Sequence, residues 1–279
     1  MTRCRHQNTD MTRSLSPSSP TEAREYARSG RLRGNTSGMC PGHVQANLLI
    51  LPAKYAADFR RLCARNPVSC PLLAESRATG DKGFPAGVAD GADITTDIPG
   101  YKVYRDGKFV EEVDDVVNYW GEDSVAFLIG CSFTFEDALQ DAGLGVRHID
   151  EDRNVPMYRT SVPLMPSGVF SGNTVVSMRP YPPEQVERVR TITRPYVRTH
   201  GEPIAWGWDA IEKLGINDIN KPEYGDAPII RDGEVPVFWA CGVTPQLVVI
   251  NSHIEGVVIG HAPGKMLCLD WRIEDIQDE

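Results

Sequence analysis

The chain has 279 residues, 41% hydrophobic and 24% charged, which suits a globular protein that buries a core as one large domain or two modest ones. A formal net charge of −9 argues against a nucleic-acid binder, which needs a basic face to neutralise phosphates, but leaves room for an anionic substrate held by a few local arginines. Seven scattered cysteines, an odd number, predict no disulfide framework and a reducing, cytoplasmic setting, and no apolar run approaches the roughly 18 residues of a membrane span, so no membrane partner is expected.

Residues 1–20 are polar and Ser/Pro-rich, and are expected to form a disordered tail before a folded domain from Thr21 to Glu279. Their first stretch lacks the apolar core of a signal peptide. Arg3, Arg5 and Arg13 leave a transit peptide as the alternative to a solvated tail, and Met11 is an alternative start. Leu48 to Leu51 is a short apolar run. Pro52 suits a first helical position, Tyr55, Phe59, Leu62 and Cys63 follow at helical spacing, and Asn66-Pro67 stops the helix, which makes Cys63 a core residue. Residues 76–100 are rich in Gly, Asp and Thr and read as a loop, the kind of segment that often carries function. Tyr101, Val103, Asp106-Gly107, Phe109 and Val110 predict a β-hairpin. Residues 183–200 predict one helix, opened by Pro183, with Val186, Val189, Thr193 and Tyr196 on one face, a kink at Pro195 and a stop at Gly201.

Two segments echo one another. Val125 to Ile129 reads as a strand, followed by Gly130-Cys131-Ser132 and a helix through Glu136 and Leu139. Val235 to Ala240 reads the same way, followed by Cys241-Gly242-Val243 and a helix capped by Thr244 with Pro245 in its first position. In open α/β sheets ligands sit beyond strand C-termini, so both turns are candidates for one crevice. A thiol at a helix N-terminus has a lowered pKa, and free N–H groups there hold anions; the competing reading of Cys131 and Cys241 is two small packed side chains. Gln246 is placed to reach into the crevice. His261, in Gly260-His261-Ala262-Pro263-Gly264-Lys265, sits at a strand end where it suits proton transfer or a turn held by backbone. Arg159 and Arg179 stand in otherwise uncharged runs, Asn154 to Thr160 and Val175 to Pro180, where each either grips a substrate carboxylate or forms an internal salt bridge. Cys40 and His43 supply two possible zinc ligands with no second pair at finger spacing, and His200 reads as a helix C-cap. Walker, G-x-G-x-x-G, G-x-S-x-G and H-E-x-x-H motifs are missing, which leaves nucleotide enzymes and the common hydrolase types without support.

Taken together, Gly38–Pro52 with Gln45 and Asn47, Arg65–Pro67, Cys70–Leu73, Phe127–Glu136, Val155–Thr160, Val175–Pro180, His200-Gly201, Val235–Gln246 and His261–Met266 resemble the D-glutamate cyclase family, whose members are filed as hydro-lyases. The resemblance spans roughly residues 21–272. It implies an α/β fold, with a three-layer mixed-sheet core and a smaller α+β subdomain, expected here as an insertion around 100–180. It also implies cyclisation of D-glutamate to 5-oxo-D-proline with loss of water. The chain departs from the family pattern at Thr95, at Ala205-Trp206, and at Cys40 and His43, which bears on the substrate more than on the fold.

The residues then take expected roles. Arg159 or Arg179 binds a carboxylate. His261 moves the proton, with Glu136 in reserve. The two Cys turns offer N–H groups to an oxyanion, or in a sharper version Cys131 or Cys241 forms a thioester. Ser132, Asn154, Tyr158, Thr244, Gln246 and His200 complete the expected substrate contacts. No metal ligand set or cofactor is expected, with stimulation by a divalent ion left open, and the partner is a small acidic metabolite, with a homo-oligomer as an open alternative. Three competing readings stand: a lyase or hydratase for another small amino or hydroxy acid, a non-catalytic binding protein for acidic metabolites, and a metal-dependent hydrolase using His200 and His261.

Overall fold

The computed structural model describes residues 17–277. Cys4, Met11 and the rest of residues 1–16 lie outside the described residues. The expected domain start at Thr21 falls inside a helix, because Ser19 accepts a hydrogen bond from the Glu22 amide and Pro20 fills the first position.

In chain order the elements begin with α1 (Pro20–Arg28), β1 (His43–Pro52), α2 (Ala53–Arg65) and β2 (Leu72–Glu75). The hairpin β3 (Tyr101–Arg105) and β4 (Lys108–Val113) follows, then β5 (Ser124–Gly130), α3 (Glu136–Asp141) and α4 (Arg147–Asp150). Next come β6 (Met157–Pro163), β7 (Asn173–Tyr181), α5 (Val186–Thr193), β8 (Ala205–Trp206) and α6 (Asp209–Leu214). The chain closes with β9 (Val235–Ala240), α7 (Val243–Asn251), β10 (Val257–His261) and β11 (Leu267–Arg272). No helix among the described residues is long and apolar enough to cross a membrane.

The strands form two sheets. A seven-stranded sheet runs β2-β5-β1-β10-β3-β4 with β11 also on β1, and a four-stranded sheet runs β6-β7-β9-β8. The α/β class is as expected, but every strand pairing among the described residues is antiparallel, so the sheets are not mixed. The hairpin at 101–113 and strand β5 belong to the large sheet, so the second sheet occupies 157–240 rather than an insertion at 100–180.

Period-two alternation in β1 and β5 sorts their side chains onto opposite faces. Leu49, Leu51, Phe127 and Ile129 pack against Phe59 and Leu62 of α2 and Val248 and Val249 of α7. Leu48, Ile50, Ala126 and Leu128 pack against Phe84, Val88, Ile94 and Ile98. The Gly/Asp/Thr-rich segment 76–100 therefore plugs one face of the large sheet; its apolar residues lack periodicity because no regular element carries them. Cys63 is buried in the core as expected.

The single helix expected over 183–200 is broken. Only Val186–Thr193 is α-helical, with 3₁₀ turns at Pro183–Gln185 and Val197–Thr199. Pro195 lacks the N–H to continue, so it ends the helix instead of kinking it. Helix α7 starts at Val243, one residue before the expected cap. Thr244 Oγ1 accepts from the Val175 amide at 2.9 Å and donates to the Val175 carbonyl at 3.2 Å, which stitches α7 to β7 and removes Thr244 from ligand reach.

Candidate active site

One edge of β1 carries two strands in succession. Gly260 of β10 stands opposite Leu49, and Leu267 of β11 stands opposite Ala46. Between them the chain leaves the sheet, so on this edge Asn47 and Leu48 have no strand partner. The loop is pinned by Ala262 N to Gly100 O (2.9 Å), Thr36 N to Gly264 O (2.8 Å) and Met266 N to Thr36 Oγ1 (2.9 Å). A buried carbonyl without a donor is costly, and Gln246 Nε2 supplies one to Leu48 O at 3.1 Å.

Asn47 fills the rest of the gap. Its Nδ2 donates to the carbonyls of Gly130 (2.8 Å) and Ile129 (3.3 Å), which fixes the amide orientation, and its Oδ1 faces His261 Nε2 at 2.9 Å. His261 Nδ1 faces the Ala262 carbonyl at 2.8 Å. Both ring nitrogens therefore meet acceptor oxygens, and a neutral imidazole has a proton for only one of them. Full burial, helped by the nearby Lys102 ammonium, outweighs the pull of these acceptors and holds the pKa down, at about 4. The ring is neutral at pH 7 and keeps an unmet demand for a proton, which an incoming negative charge would release.

His261 forms the floor of a pocket of ≈ 50 Å³ between α7 and the β3–β10 pair, with Lys102, Tyr104, Tyr224, Gln246 and Pro263 in its walls. That is room for a few water molecules. Larger clefts beside Glu255 and beside Glu274 contain none of the expected site residues.

The two Cys turns converge on Asn47 from either side. A side chain at Gly242 would collide with the Asn47 amide, and one at Gly130 would collide with the Arg198 carbonyl. Gly242→Ala is therefore expected to leave a folded protein whose Asn47–His261 pair is displaced, with turnover down about a hundredfold. Gly130→Ala, which strikes backbone, is expected not to give soluble protein. Soluble yield, thermal melting and turnover check both; a fully active Gly242→Ala enzyme would remove Asn47 from the site.

The thiols themselves are not activated. Cys131 and Cys241 are buried together, and each receives the backbone N–H two residues on, from Phe133 and Val243. Burial pushes Cys131 far up and Cys241 up to about 11, against the expectation of a helix-lowered thiolate. The physical reason is that only a 3₁₀ turn, Ser132–Phe135, follows Cys131, and the lost hydration outweighs one N–H at each thiol. These contacts argue against the thioester role expected of either cysteine.

Arg179 and Glu136 are spent on each other. They form a fully buried ion pair, with Arg179 also on Ser132 Oγ (3.0 Å) and Ser177 Oγ (3.2 Å), and with its guanidinium 5.3 Å from the ring centres of both Phe135 and Trp239. Glu136 Oε2 accepts from Ser37 at 3.0 Å, and His148 Nε2 lies 3.0 Å from Oε1 but off hydrogen-bond alignment. Burial alone would raise the Glu136 pKa, but His148 and Arg179 overrule it and hold the carboxyl at about 2. Arg179 is thus the internal salt bridge of the two readings, Ser132 is its partner, and Glu136 is an unsuitable proton donor near pH 7.

The other expected contacts divide. Arg159 Nη2 donates to the Tyr224 hydroxyl at 2.9 Å, which brings it to the pocket at one remove. Tyr158 is committed to the Ile219 carbonyl at 2.6 Å. Asn154 lies beside Gly264, near the His261 loop, with Oδ1 buried and unpartnered. His200 caps a 3₁₀ turn at φ 87 with Nδ1 on Val68 O at 2.8 Å and does not line the pocket. Cys40 is buried, His43 Nδ1 faces the Pro41 carbonyl at 3.2 Å, and no group of three His, Cys, Asp or Glu among the described residues is placed to hold a metal ion. Sequence reasoning missed Lys102, Tyr224 and His148, and met Asn47 only as part of a resemblance.

The pocket thus brings together a neutral histidine, the Gln246 amide and the Lys102 ammonium. A family model described as D-glutamate cyclase matches residues 125–270. A relative from Staphylococcus haemolyticus is 50% identical over 94% of this chain and 98% of its own length. One from Schizosaccharomyces pombe is 48% identical over 90% and 84%, and one from Bordetella pertussis is 53% identical over 89% and 88%. All three carry the name "Putative hydro-lyase". The chain belongs to the D-glutamate cyclase family.

Proposed function

We propose that the chain is a hydro-lyase that cyclises D-glutamate to 5-oxo-D-proline and water, without a cofactor, in the pocket above His261. The observation that carries the reading is the neutral, buried His261 ring held between Asn47 and Ala262 at the pocket floor. Family membership supports the same reaction class.

The amine of glutamate is protonated in water and must lose its proton before it can attack. A neutral imidazole accepts that proton when the ring turns Nε2 from Asn47 toward the pocket. The amine then adds to the γ-carboxyl carbon of the same molecule, so a folded near-attack shape supplies much of the rate. The C–N bond forms, one oxygen of the tetrahedral adduct takes a proton from the adduct's own N–H and a second from the imidazolium, and its C–O bond then breaks, leaving the lactam amide, water and a neutral imidazole. The Gln246 carboxamide, held on Leu48 O, offers an N–H to the adduct's oxyanion.

The test is to incubate purified protein with D-glutamate and, separately, L-glutamate, and to quantify 5-oxoproline by chiral chromatography. Selective product from the D-isomer is expected, with His261→Asn lowering kcat by roughly 10²- to 10⁴-fold. No product from either isomer would sink glutamate cyclisation and leave a hydro-lyase for another small amino or hydroxy acid. Thermal stabilisation by D-glutamate without turnover would indicate a binding protein.

A further inference from the structure

Lys102 is an unclaimed cation in a protein of net charge −9. On β3 it stands opposite Gly260 of β10 and Glu112 of β4. Glu112 turns instead to Lys265, at 3.5 Å, and no carboxylate among the described residues pairs with Lys102. Gly260 puts no side chain beside it, and a Cβ there would press on Gln246 at 3.3 Å, so the space over Lys102 stays open to the pocket. Tyr224 lines the same pocket. Because its oxygen accepts from Arg159, its own hydrogen is left to donate, and the guanidinium polarises that O–H.

We infer that Lys102 and the Tyr224 hydroxyl together form a carboxylate subsite, which selects substrates carrying a second carboxylate beside the reacting one, that is, acidic amino acids. The inference rests on the cyclase reading for its reaction but not for its binding chemistry. It replaces Arg179, which Glu136 occupies, and places Arg159 behind Tyr224 as a positioning residue. It also couples binding to chemistry. A carboxylate on Lys102 cancels the ammonium charge that opposes protonation of His261, so the substrate's own anion prepares the ring to take the ammonium proton.

The probe is glutarate, a five-carbon dicarboxylate without an amine, compared with butyrate by isothermal calorimetry on the full chain. Wild type is expected to bind glutarate well above butyrate, Lys102→Met to lose roughly tenfold to a hundredfold in glutarate affinity, and Lys102→Arg to keep most of it. Lys102→Met should also raise KM for D-glutamate more than it lowers kcat, and move the acid limb of kcat/KM upward in pH, toward ordinary imidazole. Equal glutarate binding by wild type and Lys102→Met, or no preference for glutarate over butyrate, overturns the subsite. Tight, Lys102-dependent glutarate binding by a protein that forms no 5-oxoproline would sustain the subsite and sink the cyclase reading. Turnover of D-glutamate with an unchanged KM in Lys102→Met would do the reverse.

Discussion

Arg179→Met is expected to destabilise the protein by about 3–5 kcal/mol, because it leaves the Glu136 carboxylate buried without its hydrogen-bonded guanidinium partner. The Ser37 hydroxyl and the misaligned His148 ring remain, and they do not replace a guanidinium. The double change Arg179→Met with Glu136→Leu is expected to recover most of the loss. It removes both charges, and Phe135 and Trp239 then pack against a thioether and an aliphatic chain. Urea unfolding monitored by tryptophan fluorescence gives all three midpoints. A single variant within about 1 kcal/mol of wild type would show that the pair contributes no more than an exposed one.

The second large effect is acid sensitivity that starts earlier than carboxylates alone would give. His200 is fully buried, which holds its pKa down, at about 4, with Nδ1 on Val68 O and Nε2 without a partner. An unfolded histidine titrates near 6.5, so as pH falls the unfolded chain takes up the proton first. This stability is present above about pH 6.5 and is lost between there and pH 4, by up to roughly 3 kcal/mol for the ring. His261, lowered to about 4 by the same burial, adds in the same window. Glu136 acts in the next window. Its folded pKa of about 2 lies below the ordinary 4.5, so its contribution is intact above pH 4.5 and is lost on the way down to 2. Melting temperatures from pH 8 to pH 4 should fall steadily from about pH 6.5. His200→Asn removes one titration while keeping a donor toward Val68 and a residue that tolerates the positive φ of 87. The variant should melt with a visibly shallower slope; an unchanged slope would sink the assignment to His200.

The local elements were legible because their signals are local. Asn66 marked the end of α2, although Pro52, expected in its first position, instead ends β1 and caps the helix from outside, and Asp106-Gly107, both at positive φ, marked the β3–β4 turn. The strands of the paired Cys turns, and the helix after Cys241, also lie where apolar runs and tight turns put them. The sites of failure have a common cause, which is long-range geometry. Lys102 occupies an ordinary outward position in an alternating strand, and only the absence of a side chain at Gly260, on another strand, turns it into pocket wall. Arg179 and Glu136 are distant in sequence, and no spacing rule says that they consume each other's charge. Burial of Cys131 and Cys241 under the second sheet decides their thiol chemistry, and a turn motif alone does not report burial.

The interrupted strand on β1 has a consequence for how this architecture can be altered. The halves ending at His261 and starting at Leu267 are each in register with β1 on their own account, so the chain between them does not set the alignment of the sheet. Extra residues inserted after Pro263 would change neither ladder, and loop-closure entropy charges only about 0.6 kcal/mol for each doubling of loop length. That segment also borders the pocket. It is therefore the natural graft point for a longer lid, where reach and selectivity over the ligand can be varied while the scaffold beneath stays in place.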